Sequence, residues 1–372
     1  MQLKIGAIDT FDYMRTIFLF ISLAISASLS AELISSTHFE SVEAGKPFTL
    51  ETWQNEGFST GTWDNGLKSR TIIDSAYSAS GKKSLRVEYP QGGVGPQETG
   101  AQVELKFTPR DEAYMSYWMR FSDNFSFGTT SKGGKLPGLS GGDNCSGGDN
   151  CDGTNGFSAR FMWRNDGQIV LYLYHMDKPA KWGEDYPLKY EDGSNVVFEK
   201  GTWHKIEERV KINSSGDAYD GEVQAWVDGK EVLSLKGLRF TNNGDKVDKL
   251  YFSTFHGGNE ETWAPTETCH IWFDDIKIGT NRDELSNVEP VGPAEVPSDM
   301  FLVYKKGSKV IIVADNIIKE VVVLKANGKL KKFSDSRVID NRWEFTLRTK
   351  EPLIIQVETI DGKKMTQKFI AE

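Results

Sequence analysis

Short segments that alternate apolar and polar residues recur along most of this chain. They run from LRVEY at residues 85–89 to HIWFDDIKIG at residues 270–279, and turn signals such as Asp228-Gly229 separate several of them. No long segment repeats its apolar residues with a helical period. Many short antiparallel strands in one region are typical of a two-sheet sandwich. We therefore predict an all-β protein with a jelly-roll β-sandwich over residues 32–285.

Residues 1–31 have the pattern of a secretory signal peptide. Arg15 precedes an apolar run at residues 17–25, and small residues follow that run. Acidic residues before Met14 are unusual in such a signal, so translation from Met14 is an open alternative. The apolar run is too short to cross a bilayer. We expect a secreted protein, extracellular or periplasmic, with no membrane span.

A proline-rich stretch separates a second part of the chain. Residues 286–297 contain three prolines and no periodicity, which indicates a linker. Residues 298–372 carry Asn-Gly and Asp-Gly turn signals, and we predict a small β-sandwich accessory domain there. This part is basic, with 15 Lys/Arg and 10 Asp/Glu, although the whole chain has a formal net charge of −9. The charge suggests no nucleic-acid partner, and we expect a monomer.

The chain has three cysteines, two of them in the repeat GGDNCSGGDNC. Because export permits disulfides, we predict a bond between Cys145 and Cys151, which stabilises its short loop by roughly 2 kcal/mol. Cys269 is then expected to be buried and unreactive. The Asp and Asn oxygens of the repeat leave calcium as a rival explanation, but the EF-hand spacing is missing. We predict no metal and no cofactor.

One hairpin carries the most informative alternation. In GFSARFMWRNDGQIVLYLYHM the apolar residues share a face only if the turn has three residues, 165–167. That turn places Arg160 opposite Tyr172 and Ser158 opposite Tyr174 on the other face. An ordinary solvated surface is the alternative. The preceding GGKLPGLSGG argues against it, because its glycines permit close approach of a ligand and Lys135 can reach the same face.

Several blocks in this order resemble the family-14 polysaccharide lyases, which include alginate lyases of β-jelly-roll fold. The blocks are KGGKLPGLSGG, GFSARFMWR, LYLY, GTWHKIEERVKIN and YFSTFHGGNEETWAP, and the resemblance covers roughly residues 95–280. It implies cleavage of uronic-acid polymers by β-elimination, usually without a metal. It also implies functional roles for Lys135, Ser158, Arg160, Tyr172 and Tyr174.

β-Elimination from a uronate gives each of these side chains a task. We expect Arg160 to pair with the substrate carboxylate, with Lys135 adding positive charge, because negative charge grows there in the transition state. Nearby cations favour a phenolate, so we expect one of Tyr172 and Tyr174 to be the base, preferably Tyr174, and an alkaline-leaning rate profile. Ser158 is expected to bind sugar or to orient Tyr174.

Other residues are weaker candidates. We expect His256, between a strand and two glycines, to line the cleft, and Lys178, Lys181 and Trp182 to contact sugar. His175 falls on the apolar side of its strand and is expected to be a core residue. Paired carboxylates of a glycosidase are not apparent, because adjacent acids in a strand face opposite sides. The predicted substrate is alginate, mannuronate-rich and cut endolytically, with glucuronan lyase or a non-catalytic carbohydrate-binding protein as alternatives.

Overall fold

The computed structural model describes residues 32–129, 133–258 and 260–285. It also describes the C-terminal segments 301–306, 309–314, 318–325, 329–331, 337–339, 342–346, 353–360 and 362–369. The predicted signal peptide and the predicted linker lie outside the described residues. Among the described residues, no helix is long and apolar enough to cross a membrane.

Fifteen strands form the N-terminal part of the described chain. They are β1 (Leu33–Thr37), β2 (Ser59–Asn65), β3 (Thr71–Asp74), β4 (Ser84–Tyr89), β5 (Ala101–Arg110), β6 (Glu112–Phe121), β7 (Gly134–Gly141), β8 (Phe157–Trp163), β9 (Ile169–Tyr174), β10 (Glu184–Pro187), β11 (Trp203–Lys211), β12 (Gly221–Val227), β13 (Lys230–Leu238), β14 (Val247–His256) and β15 (Cys269–Gly279). The helices are short: α1 (Leu50–Asn55), α2 (Leu67–Arg70), α3 (Gly95–Glu98) and α4 (Arg282–Leu285).

These strands build two antiparallel sheets. Sheet 1 has the order β13-β12-β11-β6-β15-β4-β3, with β1 added on β15, and sheet 2 has the order β10-β9-β8-β7-β14-β5-β2. The apolar residues of each strand face inward and form one core between the sheets, in which Phe161, Leu171 and Phe273 are fully buried. The prediction of an all-β jelly-roll sandwich is confirmed.

The register of the β8–β9 hairpin is the predicted one. Arg160 lies opposite Tyr172, and Ser158 lies opposite Tyr174. The backbone N–H of Arg164 donates to the carbonyl of Gln168 at 2.7 Å, which closes a three-residue turn. Cys269 and His175 are both buried, as predicted.

The C-terminal segments form two further sheets. Their strands are β16 (Phe301–Lys306), β17 (Lys309–Ala314), β18 (Ile318–Lys325), β19 (Arg337–Ile339), β20 (Arg342–Thr346), β21 (Leu353–Thr359) and β22 (Lys364–Phe369). One sheet has the order β16-β17-β20-β19 and the other β18-β21-β22. Phe301, Ile312 and Ile355 belong to a core cluster built only from residues of this part. That residues 298–372 are a separate accessory domain stays a prediction.

Candidate active site

The outer face of sheet 2 carries a row of functional side chains. Tyr172, Arg160, Gly138 and Tyr251 are successive register partners on β9, β8, β7 and β14. Directly opposite residues of an antiparallel sheet lie on the same face, so these residues share one side. Gly138 fits here because a Cβ at this position would lie 2.1 Å from the carbonyl oxygen of Ala159. The row therefore has a shallow floor between Arg160 and Tyr251.

Arg160 is a buried cation that forms no ion pair with the acidic residues of the described chain. Its side chain is only 3% exposed, its Nη1 donates to Ser253 Oγ at 3.1 Å, and its guanidinium carbon lies 4.8 Å from the centre of the Tyr251 ring. Within the described part of the chain it makes no ion pair, and its buried Nε has no hydrogen-bond partner. Burial lowers the pKa of Arg160, but arginine stays charged in proteins. No described acidic residue therefore balances the charge of Arg160.

Lys135 lies next to this cation. Its Nζ is 3.3 Å from the centre of the Tyr172 ring and 2.9 Å from Met162 Sδ. Burial lowers the pKa of Lys135 well below its usual value, and the charges of Arg160 and Arg164 lower it further. The sequence predicted a positive charge on Lys135, and these surroundings make that charged form less favourable than in an exposed lysine.

The two phenols of β9 lie side by side with their rings 5.4 Å apart. Tyr172 Oη accepts the backbone N–H of Gly183 at 3.1 Å, and Tyr174 Oη accepts that of Gly148 at 3.0 Å. Burial raises the pKa of Tyr172, and its contact with Tyr174 raises it further. The expectation that nearby cations favour a phenolate is therefore wrong for Tyr172, because burial outweighs their attraction.

The cysteine-containing loop covers one end of the row. Cys145 and Cys151 form the predicted disulfide, with their Cα atoms 5.7 Å apart. Ser158 is fully buried beneath this loop, and its hydroxyl donates to the carbonyl of Cys145 at 2.9 Å. Sugar binding by Ser158 is not compatible with this position. Ser158 instead anchors the loop whose Gly148 contacts Tyr174.

The segment after β9 lines the rim beside Tyr174. Lys178 Nζ lies 5.6 Å from the centre of the Tyr174 ring and donates to the carbonyls of Ala180 and Lys181. Lys181 Nζ lies 5.1 Å from the ring of Trp182, which is 55% exposed. Lys178 therefore lies beside the Tyr174 ring, and Lys181 and Trp182 form an exposed pair in the same segment. Their role stays a prediction.

His256 does not line the cleft. It is fully buried, its ring lies 5.2 Å from that of Trp163 and 5.8 Å from that of Phe125, and its Nδ1 lies 2.9 Å from the carbonyl oxygen of Trp263. Burial lowers the pKa of His256 to about 4, so the ring is neutral at pH 7. The predicted substrate contact is wrong, because His256 is a core residue.

The sequence reasoning missed a polar network on β14, β5 and β2. Ser253 contacts Arg160, Gln102 donates to both Tyr251 and Ser253, and Asn65 donates to Gln102. The alternation of Tyr251 and Ser253 in KLYFSTF places both on one face of β14. That pattern alone could have marked them as candidates.

Comparison with known proteins identifies the family. A profile of the family described as "Polysaccharide lyase 14" matches residues 77–276, more than half of the chain. The crystal structure of a PL-14 alginate lyase from Aplysia kurodai is 26% identical, with a TM-score of 0.55, and the match covers 68% of this chain and 100% of that one.

Two other solved structures share the fold. The alginate lyase Aly36B is 24% identical over 66% of this chain and 97% of its own, with a TM-score of 0.55. The alginate lyase vAL-1 from Chlorella virus is 18% identical over 64% of this chain and 100% of its own, with a TM-score of 0.52. Comparison with curated proteins gave no match. The family match and the Aplysia structure together show that this chain belongs to polysaccharide lyase family 14 and is a polysaccharide lyase.

Proposed function

We propose that this lyase is a secreted enzyme that cleaves alginate by β-elimination. The observation that carries the proposal is the buried guanidinium of Arg160, which has no acidic partner among the described residues and lies in a row with two phenols. A uronate carboxylate would supply the missing negative charge. The Aplysia relative is an alginate lyase, which supports this choice among uronic-acid polymers.

The reaction removes the proton at C5 of a uronate and breaks the bond between C4 and its glycosidic oxygen. The electrons of the C5–H bond form the C4–C5 double bond, and the departing O4 takes a proton. Negative charge grows on the C5 carboxylate as the proton leaves. Arg160, held by Ser253, is a pre-oriented donor for that charge and therefore stabilises the transition state more than the substrate.

The proton transfers fall to the groups around Arg160. The raised pKa of Tyr172 keeps its phenol protonated, which suits a donor to O4. Tyr174 is our proposed base. Lys135 is its rival, because its lowered pKa favours the neutral amine, which is the form that can accept a proton.

Lys135→Arg and Tyr174→Phe separate these two assignments. The arginine keeps a positive charge but cannot accept a proton at accessible pH. If Tyr174 is the base, Lys135→Arg retains turnover, Tyr174→Phe loses it, and the wild-type rate rises into the alkaline range. If Lys135 is the base, the losses are reversed. A flat optimum near pH 5 would contradict a phenolate base.

The substrate is tested by mixing the purified protein with polymannuronate, polyguluronate, mixed alginate and glucuronan. The unsaturated product absorbs near 235 nm, and we expect the rise to be fastest on mannuronate-rich alginate, with a range of oligomer lengths that indicates endolytic cleavage. Binding without any rise in absorbance would support the non-catalytic alternative.

The disulfide between Cys145 and Cys151 supports secretion, because such bonds persist in oxidising compartments. Detection of the protein in the culture medium tests that part.

A further inference from the structure

Tyr251 lies in the same row as Arg160 and Tyr172 but has no part in the reaction as described above. We propose that Tyr251 is a substrate-binding residue whose phenolic O–H donates to the uronate carboxylate held by Arg160, and that Gln102 fixes the direction of this hydroxyl. This inference rests on the proposed function, since it names a second contact to the same carboxylate.

The contacts of Gln102 fix the roles of the neighbouring atoms. Its Nε2 donates to Tyr251 Oη at 3.1 Å and to Ser253 Oγ at 2.9 Å, so both of its amide hydrogens are used. Its Oε1 accepts from Asn65 Nδ2 at 2.8 Å. With Asn65 donating to its Oε1, the Gln102 amide turns its Nε2 toward Tyr251 and Ser253.

The hydroxyl of Tyr251 still has its own hydrogen to donate. Its oxygen already accepts from Gln102, and no described residue accepts its own hydrogen. The hydroxyl of Ser253 likewise serves as an acceptor, because its oxygen accepts from both Gln102 and Arg160. The network is largely buried, with Tyr251 7% and Gln102 4% exposed, which holds these polar groups in fixed positions.

The chemistry of the ligand follows from this arrangement. The row presents guanidinium N–H groups of Arg160 and the O–H of Tyr251, and both need an acceptor. A carboxylate has two oxygens and accepts from several donors at once. Gly138 separates the two residues in the row and adds no side chain between them. One carboxylate can therefore meet Arg160 and Tyr251 together.

A purely structural role is the competing explanation. The Tyr251 ring lies under the Arg160 guanidinium, at 4.8 Å, and a phenylalanine ring would provide the same cation–π contact. Tyr251→Phe separates the two roles, because it keeps the ring and removes only the hydroxyl. A structural role predicts wild-type kinetics for this variant.

The experiment compares Tyr251→Phe with the wild type on alginate by absorbance at 235 nm and measures kcat and KM separately. We expect kcat/KM to fall by about tenfold to a hundredfold, the usual effect of losing one hydrogen bond to a charged group. Gln102→Met should cause a smaller fall, because the hydroxyl remains but turns freely. Tyr114→Phe is the matched control, since Tyr114 donates to Glu112 on sheet 1 and should keep its kinetics.

Binding separates failure of this inference from failure of the proposed function. The Kd of a mannuronate oligomer is measured by calorimetry for the wild type and for Tyr251→Phe, and melting temperatures verify the fold. Wild-type turnover with unchanged kcat/KM and Kd in Tyr251→Phe would overturn the inference and leave the proposed function intact. A wild type that neither cleaves nor binds any uronate polymer would overturn both.

Discussion

Replacing Arg160 by methionine should remove most of the turnover and leave the fold as stable as before or more stable. Most active-site arginines with structural partners would not behave in this way. Arg160 does so because it is a buried charge whose described contacts are one hydroxyl, that of Ser253, and the ring of Tyr251. Methionine fills a similar volume and brings no charge.

The loss of activity follows from the role proposed for the guanidinium. Removing one pre-oriented donor from a site of developing negative charge costs about 3–4 kcal/mol. At about 1.4 kcal/mol for each factor of ten, kcat/KM should fall by roughly a hundredfold to a thousandfold. Most of this loss should appear in kcat, because the charge on the carboxylate is larger in the transition state than in the bound substrate.

The change in stability has opposing parts. An effective desolvation penalty of several kcal/mol for a buried ion disappears with the charge. The hydrogen bond to Ser253 and the cation–π contact with Tyr251 are also lost, at about 1–3 kcal/mol and about 1–2 kcal/mol. We expect a balance between zero and about 2 kcal/mol in favour of methionine, which raises Tm by up to about 8 °C in a domain of this size.

The assay measures product absorbance at 235 nm and thermal unfolding for Arg160→Met and for a matched control, Arg209→Met. Arg209 is paired with Glu112 and Glu222, each at 2.7 Å, on sheet 1. The control should therefore lose Tm and keep turnover. Two results would refute this reasoning: a fall in Tm for Arg160→Met as large as that of the control, or a kcat/KM within tenfold of the wild type. Either would show that the guanidinium is not an unpaired cation that binds the substrate carboxylate.

Three further predictions concern the loop, the core and the C-terminal part. Changing Cys145 and Cys151 to serine should lower the free energy of unfolding in urea by roughly 2 kcal/mol. It should also lower kcat, because the loop contacts Tyr174, and an unchanged kcat would show that the loop has no catalytic effect. Burial raises the pKa of Glu208 well above its usual value, so its contribution to stability is full below about pH 4 and falls as the pH rises above that, by about 1.4 kcal/mol per pH unit until the folded-state pKa is reached. The stability advantage of Glu208→Gln over the wild type in urea unfolding should therefore grow as the pH rises above about 4, and parallel curves would contradict this. Deleting residues 298–372 should leave turnover on soluble oligomers nearly intact, and complete loss would mean that the predicted boundary is wrong.

The hairpin and the disulfide could be predicted because both depend on short-range sequence. Shifting the β8–β9 turn by one residue would move every apolar side chain of one strand to the wrong face, so the alternation allows only one register for Arg160 and Tyr172. The cysteines are six residues apart, so their loop is short in any fold. Neither prediction needed the order of strands in the sheets.

The protonation states could not be predicted in the same way. The sequence indicates that Lys135 and Arg160 approach Tyr172, and cations alone would lower the pKa of that phenol. For Tyr172 burial acts in the opposite direction and outweighs the cations, whereas for the amine of Lys135 burial and the neighbouring cations both lower the pKa. The burial of Tyr172 depends on the disulfide loop and on the segment at Gly183. The alternation of residues in the β8–β9 hairpin says nothing about either segment.

The error over His256 has a related cause. Glycines beside a histidine suggest room for a ligand, but here they give room to the protein itself. A Cβ at Gly258 would lie 2.2 Å from the ring of Trp263, and the N–H of Gly257 donates to the carbonyl of Gly133 at 2.9 Å. Glycine permits close approach without specifying what approaches.

The Tyr251 network depends on the order of strands, which alternation within one strand cannot provide. Asn65, Gln102 and Tyr251 come from β2, β5 and β14, and Tyr251 lies near Arg160 because only β7 separates β14 from β8. A different strand order would keep every alternation in the sequence and move Tyr251 away from Arg160. The donor-rich row is therefore a property of the jelly-roll topology. Further substrate contacts are therefore expected among the register partners of Arg160 across sheet 2. Tyr251, two strands from Arg160 on the side of β7 and β14, is the first phenol among them.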